Sequence, residues 1–341
     1  MSSIPKEFLR TSYHYELGAE RIASTPLEPP EHAKLLVYER ARDRVSHSTF
    51  THVFDFFPPN ALIVLNDTKV IKARLYGRKK SGGKVELLIH HPLNAQSFVL
   101  QIKGRVPQGG LIELEDGYSC EVLNPPAPLR QARFYYRQSS LNWEGVLEML
   151  ECLGHVPIPP YLKRADTPAD ERAYQSVFAK HPGAIAAPTA SLHFSERAKA
   201  HLLSHFKHAF LTLHVGAGTF LGVECEDIRE HPMHAEALFI PQETRQALDC
   251  APYILCVGTT ALRGVEHYKR GNVDKPCNLF LHPGNPVQYV HALLTNFHLP
   301  ESTLLMLVAS MVGLEKCLQL YQIAKDHAYR FYSYGDGMLI L

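Results

Sequence analysis

The feature that most constrains the fold of this chain is a change of pattern at the proline-rich segment Gly154–Pro160. Before it, short β-type runs are separated by Gly, Pro and Asn clusters such as Pro58-Pro59-Asn60, a spacing typical of a small barrel or sandwich. After it, apolar strand candidates alternate with helix-start signals, which is the pattern of an α/β domain. Because each proline biases the residue before it away from helix, the segment itself is predicted to be an extended linker.

The predicted elements follow from apolar runs and capping residues. Strands are predicted at Leu35–Tyr38, Ala61–Leu65, Val85–Ile89, Phe98–Ile102, Leu111–Leu114, Ala132–Tyr136, Phe210–Val215, Tyr253–Val257, Leu279–Leu281 and Tyr289–Thr295. Helix starts are predicted at Thr167 with Pro168 behind it, at Ser195 before Glu196–His208, and at Ser302 before Thr303–Val312.

Composition limits the class of protein. With 341 residues, 45% of them hydrophobic, the chain predicts about two globular domains. The longest nearly apolar stretch, Thr303–Gly313, is too short to cross a bilayer, and the first residues do not resemble a secretory signal, so we expect no membrane contact and a cytoplasmic location. The net charge of +1 does not by itself indicate a nucleic-acid partner, so any such partner must meet a local patch.

One segment supplies such a patch. Between Lys69 and Lys84 there are seven cations and no acidic residue, and a Gly-Gly turn lies among them. The cations are Lys69, Lys72, Arg74, Arg78, Lys79, Lys80 and Lys84. A strand and turn of this kind would lay several charges along a phosphate backbone. The alternative is an ordinary solvated hairpin tip.

Two glycine-containing turns each follow a predicted strand. In His214–Phe220, Gly216 and Gly218 permit a close backbone approach to a ligand, and Thr219 offers a hydroxyl. In Val257–Arg263, the backbone N–H groups at a helix start would attract an anion. Plain tight turns with ordinary capping explain each string taken alone. Two such turns at strand ends in one α/β domain favour a ligand site more than either alone.

Histidines are frequent, 20 in all, and two of them flank a carboxylate in His231-Pro232-Met233-His234-Ala235-Glu236. A metal site is conceivable there, but no standard metal motif is complete, and further ligands would have to come from the distant His193, His214 or His298. Acid, base or hydrogen-bonding roles are favoured over metal binding, and a surface or core role is the remaining alternative.

Taken together, these strings resemble a known family, the S-adenosylmethionine:tRNA ribosyltransferase-isomerases of queuosine biosynthesis. The matching strings are Asn66-Asp67-Thr68, Ala73-Arg74-Leu75, Gly83-Lys84-Val85-Glu86, Pro157–Tyr161, Ala186–Ala190 with Leu192-His193-Phe194, His214–Phe220, Met233-His234 with Glu236, Val257–Thr260, Thr295–Pro300 and Tyr329–Asp336. They cover the chain from about residue 60 to its end in one consistent order.

The resemblance implies an activity, partners and a fold. The ribosyl portion of S-adenosylmethionine is moved onto the aminomethyl group of 7-aminomethyl-7-deazaguanine at the tRNA wobble position, giving epoxyqueuosine and releasing adenine and methionine. S-adenosylmethionine is then a consumed substrate, and no metal or redox cofactor is expected. The implied fold is a large mixed α/β domain formed by 1–69 and 156–341, with a small β-barrel domain, 70–155, inserted in it. A monomer is the working expectation.

The resemblance also suggests site residues. We predict acid/base work for His193, His214 and Glu236. S-adenosylmethionine is predicted to contact Asp67, Gly216, Gly218, Thr219, Gly258, Thr259, Thr260, Arg263 and Asp336, with Arg263 toward its carboxylate and the two aspartates offsetting its sulfonium charge. The tRNA is predicted to contact Arg74, Arg78, Lys79, Lys80 and Lys84.

Two residues depart from the family pattern, and two rival functions remain open. Ser191 stands where glycine is expected and Lys69 where arginine is expected. An RNA-binding module without catalysis would bind tRNA but not consume S-adenosylmethionine. A histidine-rich metal-dependent hydrolase would hold stoichiometric metal and lose activity with a chelator.

Overall fold

The structure, a computed structural model, describes residues 4–220 and 222–341, and the side chains at 219 and 220 are outside the description. Its strands are β1 (Lys34–Glu39), β2 (Arg44–Thr49), β3 (Leu62–Asn66), β4 (Thr68–Val70), β5 (Arg74–Lys79), β6 (Lys84–Asn94), β7 (Ser97–Lys103), β8 (Leu111–Glu113), β9 (Tyr118–Val122), β10 (Arg130–Tyr136), β11 (Ser139–Ser140), β12 (His181–Ala184), β13 (His208–Leu213), β14 (Leu238–Phe239), β15 (Ile254–Val257), β16 (Ala292–Asn296) and β17 (Gly337–Ile340). Its α-helices are α1 (Trp143–Leu153), α2 (Asp170–Ala173), α3 (Glu196–His205), α4 (Gln242–Cys250), α5 (Thr259–Lys269), α6 (Thr303–Val312) and α7 (Leu314–Asp326).

The chain divides into two compact units. One, the sheet unit, takes in the residues up to Thr68, Ala173–His181 and the residues from Ala187 onward. The other, the barrel unit, takes in Lys69–Arg172 and Pro182–Ala186.

The barrel unit is built around a closed antiparallel barrel. Strands β10, β7, β6, β5, β8 and β9 are hydrogen-bonded in that order, and β9 pairs back onto β10, which leaves no free edge in the ring. Along β6, Val85, Leu87 and Ile89 are buried and alternate with more exposed residues, as the two-residue period of a strand requires. Of the two architectures that the Gly and Pro punctuation predicts, a barrel or a sandwich, the structure has the barrel, which confirms the β-barrel that the family resemblance implies.

The sheet unit contains an eight-stranded mixed sheet in the order β14-β13-β3-β15-β16-β17-β1-β2. Strands β13, β3, β15 and β16 run parallel to one another. Leu35 and Val37 join the hydrophobic cluster on one face, and Leu36 joins the cluster on the other, so both faces are covered. Together with the barrel, this sheet confirms the predicted mixed α/β class.

Side-chain caps begin two of the predicted helices where the sequence places them. Ser195 Oγ accepts a hydrogen bond from the Ala198 N–H at 3.2 Å, and Ser302 Oγ accepts one from the Leu305 N–H at 3.2 Å. Helix α3 ends at His205 and not at His208, because Phe206 is extended and leads directly into β13. The predicted helix start at Thr167 and Pro168 yields the short helix α2.

The predicted strand Leu279–Leu281 is wrong. Its carbonyl groups bond to side chains instead of to a sheet neighbour: Leu279 O accepts from Arg263 Nε at 3.1 Å, and Phe280 O accepts from Asn285 Nδ2 at 2.7 Å. The strand that pairs with β15 on this side of the sheet is β16.

Within 4–220 and 222–341, no single helix is long and apolar enough to cross a bilayer. Helices α6 and α7 have that length and apolar character only when taken together, and the pair is bent by 111°.

Because β3, β13, β15 and β16 are parallel, their carboxyl ends meet at one edge of the sheet. The residues that follow these ends are Asp67 and Thr68, His214–Gly216, Gly258–Thr260, and Phe297 and His298. Ligands of α/β proteins bind at this edge. The candidate site is therefore built from these four strand ends.

Candidate active site

Asn66, the last residue of β3, connects three strand ends. Its Nδ2 donates to the Leu213 carbonyl at 2.9 Å and to Thr260 Oγ1 at 3.1 Å. Its Oδ1 accepts from the N–H groups of Leu213 and Thr68 at 3.1 and 3.2 Å. The amide is fully buried and every hydrogen-bonding position is used, so it fixes the relative placement of the loops. Asn66 was not among the predicted site residues, although a polar residue that ends an apolar strand was a signal for it.

His214 follows β13 and is partly exposed. Its Nδ1 lies 2.7 Å from Thr68 Oγ1, which orients the ring. Burial lowers the pKa of His214 below 6.5, the nearby His181 lowers it further, and Asp67 opposes the shift. A neutral, partly exposed imidazole with an oriented ring has the properties of a general base.

Asp67 is buried and lies close to His214. Its Oδ1 accepts a hydrogen bond from Thr212 Oγ1 at 2.6 Å, and its Oδ2 lies 3.6 Å from His181 Nε2. The carboxylate therefore supplies negative charge at the strand ends while its position is fixed by β13.

Glu236 and Arg263 form a buried ion pair, with 3% and 5% of their surfaces exposed. Burial alone would raise the pKa of Glu236, but the Arg263 charge and the hydrogen bonds the carboxylate accepts hold it well below 4.5. Glu236 Oε1 also accepts from the Gly216 N–H at 2.9 Å, and Arg263 Nε donates to the Leu279 carbonyl at 3.1 Å. The ion pair therefore fixes the Gly216 turn. The geometry of the pair favours a positioning role for Glu236 over proton transfer. It also favours the bond of Arg263 to Glu236 over a contact between Arg263 and a ligand carboxylate.

The two predicted glycine turns have different reasons for glycine. Gly258 has φ +91°, a conformation that L side chains rarely adopt, and it ends β15 directly before α5. A Cβ on Gly218 would lie 2.3 Å from the His234 ring, so glycine there allows the imidazole to pack on the backbone. The Thr219 side chain lies outside the described residues, and Thr259 is buried at the first position of α5.

His193 lies in the 3₁₀-helix Thr189–His193 and contacts the end of β16. Its Nε2 lies 3.1 Å from Asn296 Nδ2, and its ring stacks on Phe50 with centroids 4.1 Å apart. Burial, with a smaller effect of Arg330, lowers the pKa of His193 to about 3. The ring is therefore neutral at pH 7 and is held by packing and hydrogen bonding.

Asp336 is positioned by other contacts. Its Oδ1 accepts from the Lys34 N–H at 2.9 Å and its Oδ2 from the Arg330 N–H at 2.7 Å, and 1% of its surface is exposed. Both oxygens bond to backbone groups at the start of β1 and before β17. This geometry favours a structural role over an interaction with a sulfonium.

The predicted basic segment forms the hairpin of β5 and β6 in the barrel unit. Arg78 and Lys84 are exposed and lie directly opposite each other, a like-charge pair that is unfavourable without an anion. Tyr76, on the same face, is 49% exposed. Lys80 lies exposed in the turn.

Two of the five predicted contact residues on this hairpin have protein partners. Lys79 Nζ donates to the Arg105 carbonyl at 3.3 Å. Arg74 Nε lies 3.3 Å from Glu86 Oε1. The hairpin therefore presents the charges of Arg78, Lys80 and Lys84 most directly to a polyanion.

The described residues contain no group of three or more His, Cys, Asp and Glu side chains arranged to hold a metal ion. In the histidine-rich segment, the His231 ring contacts Phe280 edge-on, and His234 Nε2 lies 3.5 Å from Glu236 Oε1.

Comparison with known proteins identifies the family. The profile of the queuosine biosynthesis protein family matches residues 10–340. The chain belongs to this family. A Helicobacter pylori protein named S-adenosylmethionine:tRNA ribosyltransferase-isomerase is 54% identical over 344 residues, covering 98% of this chain and 100% of the relative. A Campylobacter jejuni protein of the same name is 49% identical over 341 residues, covering 98% and 99%.

A solved member of similar length has the same architecture. The crystal structure of S-adenosylmethionine tRNA ribosyltransferase from Thermotoga maritima aligns with a TM-score of 0.53 and 28% identity, covering 97% of this chain and 100% of that one. In this queuosine biosynthesis protein Glu236 is bonded to Gly216 and Arg263, and Asp67 lies near enough to His214 to influence its pKa. Asp336 is held apart from that network by its own backbone contacts.

Proposed function

We propose that this queuosine biosynthesis protein is an S-adenosylmethionine:tRNA ribosyltransferase-isomerase. The ribosyl group of S-adenosylmethionine is joined to the aminomethyl nitrogen of 7-aminomethyl-7-deazaguanine at the tRNA wobble position, with isomerisation to the epoxycyclopentane of epoxyqueuosine. Adenine and methionine leave. The observation that carries this proposal is identity of 49–54% along nearly the whole chain with relatives that bear this name.

The reaction requires removal of a proton from the carbon beside the sulfonium and assistance to the departing adenine. His214 is our candidate for the base, because its imidazole is neutral, partly exposed and oriented by Thr68. Asp67 supplies the negative charge that favours a sulfonium nearby.

The turns at Gly216 and Gly258–Thr260 are our candidates for holding the nucleoside. The first turn follows His214 in the chain, and Asn66 joins the second to the end of β13 through its bonds to Leu213 and Thr260. Each turn places backbone at the carboxyl edge of the sheet. The Glu236–Arg263 pair keeps the first of these turns in place.

For tRNA we propose the barrel face formed by Arg78, Lys80 and Lys84, with the exposed Tyr76 ring beside them. Arginine and lysine neutralise phosphates, and an exposed ring offers a stacking surface. The anticodon stem-loop is the segment that carries the wobble base. We further propose that the enzyme acts as a monomer in the cytoplasm and needs no metal or redox cofactor.

The decisive experiment measures adenine and methionine release from S-adenosylmethionine, together with the mass of the tRNA nucleoside. The matched substrates are tRNA bearing 7-aminomethyl-7-deazaguanine and the same tRNA bearing guanine. We expect equimolar release and a ribosyl-sized mass gain with the first substrate alone. Tight tRNA binding without release would instead identify a noncatalytic RNA-binding module. Loss of activity with a chelator, restored by added metal, would contradict the cofactor proposal and favour the metal-dependent alternative.

A further inference from the structure

The side-chain amide of Asn296 has one orientation that fits its neighbours. Its nitrogen lies 3.2 Å from the Tyr332 carbonyl and 3.1 Å from His193 Nε2. A carbonyl oxygen only accepts hydrogen bonds, so the group that faces Tyr332 must be the NH₂. The second amide hydrogen then points to His193, and both donors are used.

This orientation fixes the proton on His193. Because Asn296 donates to Nε2, that nitrogen must be the acceptor, and in a neutral imidazole the proton then resides on Nδ1. Burial favours the neutral form of the ring, lowering the pKa of His193 to about 3. His193 is thus set as a hydrogen-bond donor through Nδ1 and not as a base through Nε2.

Two buried polar atoms on residues close to His193 have no hydrogen-bond partner among the described residues. They are Asn296 Oδ1 and Ser191 Oγ, on side chains that are 2% and 0% exposed. Ser191 is two residues from His193 in the Thr189–His193 turn, and the Cβ of Ala190, directly before Ser191, lies 3.8 Å from where a Cβ on Gly258 would be. A buried polar atom left unpaired is costly, so these atoms indicate a ligand group, and Asn296 Oδ1, which only accepts, indicates one that donates a hydrogen bond.

We propose that Asn296 is a positioning residue of the ribosyl-transfer site: it sets His193 as the Nδ1–H tautomer and accepts, through Oδ1, a hydrogen bond from a hydroxyl or ammonium group of S-adenosylmethionine. This inference rests on the proposed function for the identity of the ligand. The tautomer rests on geometry alone. Ser191 Oγ offers the same ligand group a second hydrogen-bonding partner, and glycine at this position would lack it.

The tautomer is tested by ¹⁵N NMR of histidine-labelled protein, with the His193 signal assigned through its loss in His193→Gln. We expect Nδ1 to be protonated and Nε2 to be unprotonated at pH 7. Asn296→Asp replaces the donor by an acceptor, and we expect the proton to move to Nε2. A wild-type Nε2–H tautomer overturns the proposal even if the variant does not fold.

A matched control lies one residue away. Thr295 Oγ1 is 2.9 Å from Nε2 of His298, another buried histidine. Thr295→Val should change the His298 signal and leave the His193 signal in place. A change of both signals would attribute the effect to general disturbance of β16 and would contradict a specific role for Asn296.

The ligand contact is tested by steady-state kinetics with saturating tRNA. For Asn296→Ala we expect the KM for S-adenosylmethionine to rise about 10-fold, the loss typical of one hydrogen bond to a polar ligand group. Methylthioadenosine, which has the ribose hydroxyls but no amino-acid ammonium, is the competing probe. A parallel rise in its inhibition constant identifies the nucleoside half as the donor; a rise for S-adenosylmethionine alone identifies the ammonium.

Unchanged constants for both compounds in a folded Asn296→Ala variant would overturn the ligand contact. That result is distinguishable from failure of the proposed function, in which the wild-type protein itself would release no adenine from S-adenosylmethionine. The NMR measurement remains decisive for the tautomer in either case.

Discussion

Breaking the Glu236–Arg263 pair should be among the most destabilising single changes in the sheet unit. Both residues are at least 95% buried, and removing one partner leaves an uncompensated charge in the interior. Such a change costs roughly 3–5 kcal/mol, whereas removing both charges with similar volume costs much less. We therefore compare Glu236→Gln, Arg263→Met and the double variant.

The assay is urea denaturation followed by circular dichroism at pH 7, with the slope of each transition checked against the wild type. Each single change should lower the free energy of unfolding by about 3–5 kcal/mol. The double change should cost about 3 kcal/mol less than the sum of the two. Glu315→Gln is the matched control, because its pair with Lys6 at 3.3 Å is exposed and should contribute nothing measurable.

The pH dependence has a definite sign. The pKa of Glu236 in the folded chain is lower than its unfolded value near 4.5, so the ionised carboxylate stabilises the fold above that pH. The stability difference between wild type and Glu236→Gln should therefore shrink as the pH falls below about 4.5. The free energy of unfolding is measured between pH 6 and 3 at intervals of about half a unit. Additive effects of the two single changes would refute the account of a coupled buried pair. So would a stability difference between wild type and Glu236→Gln that does not depend on pH.

Four further predictions concern the tRNA face and the candidate active site. Arg78→Ala with Lys84→Ala should weaken tRNA binding and lower the slope of log affinity against log salt by about 1.4–1.8, the value for two lost phosphate contacts; an unchanged slope would remove this hairpin from the interface. Lys79→Ala with Lys80→Ala should have a smaller effect, because Lys79 bonds to the Arg105 carbonyl, and a loss equal to that of the first pair would contradict the ranking. His214→Gln should abolish the acidic limb of the kcat/KM profile, which in the wild type should lie below pH 6.5 because burial lowers the pKa of His214; a limb that persists would assign it to another group. Ser191→Ala should stabilise the ligand-free protein by about 1 kcal/mol, since it removes a buried hydroxyl that has no hydrogen-bond partner among the described residues. Thermal unfolding with and without S-adenosylmethionine measures the change, and destabilisation of the ligand-free variant would contradict the prediction.

Capping and turn residues in the sequence predict the architecture correctly where one residue type determines the local backbone conformation. Ser195 and Ser302 begin α3 and α6 as capping predicts, and the Gly and Pro clusters separate the barrel strands. Predictions from the sequence are wrong where a contact with a residue distant in the chain determines the backbone conformation. The Leu279–Leu281 run has strand character, but Arg263 and Asn285 bond to its carbonyls. Phe206 fits the helical pattern of α3, yet it packs against Phe54 and Phe57 from an extended backbone.

The site shows the same division between motif and pairing. The glycine turns are predicted because they follow recognisable strands, whereas His214 and Asp67 are predicted from the family resemblance. The partners of Arg263 and Asp336 were not, since Arg263 pairs with a residue 27 positions earlier and Asp336 with the backbone of Lys34. A charged residue in a motif therefore predicts a charged partner, but the fold decides whether that partner is a ligand or the protein itself.

That distinction separates the three residues predicted for acid/base work. Glu236 is ionised and paired with Arg263, and Nε2 of His193 already accepts a hydrogen bond from Asn296. His214 retains partial exposure, burial favours its neutral ring, and its Nδ1 contact with Thr68 orients that ring. Proton transfer needs a group whose charge can change during the reaction, whereas the other two contribute through fixed positions. His214 is therefore the residue whose replacement should lower kcat most relative to any change in KM, and a larger effect from Glu236→Gln on kcat alone would reverse this assignment.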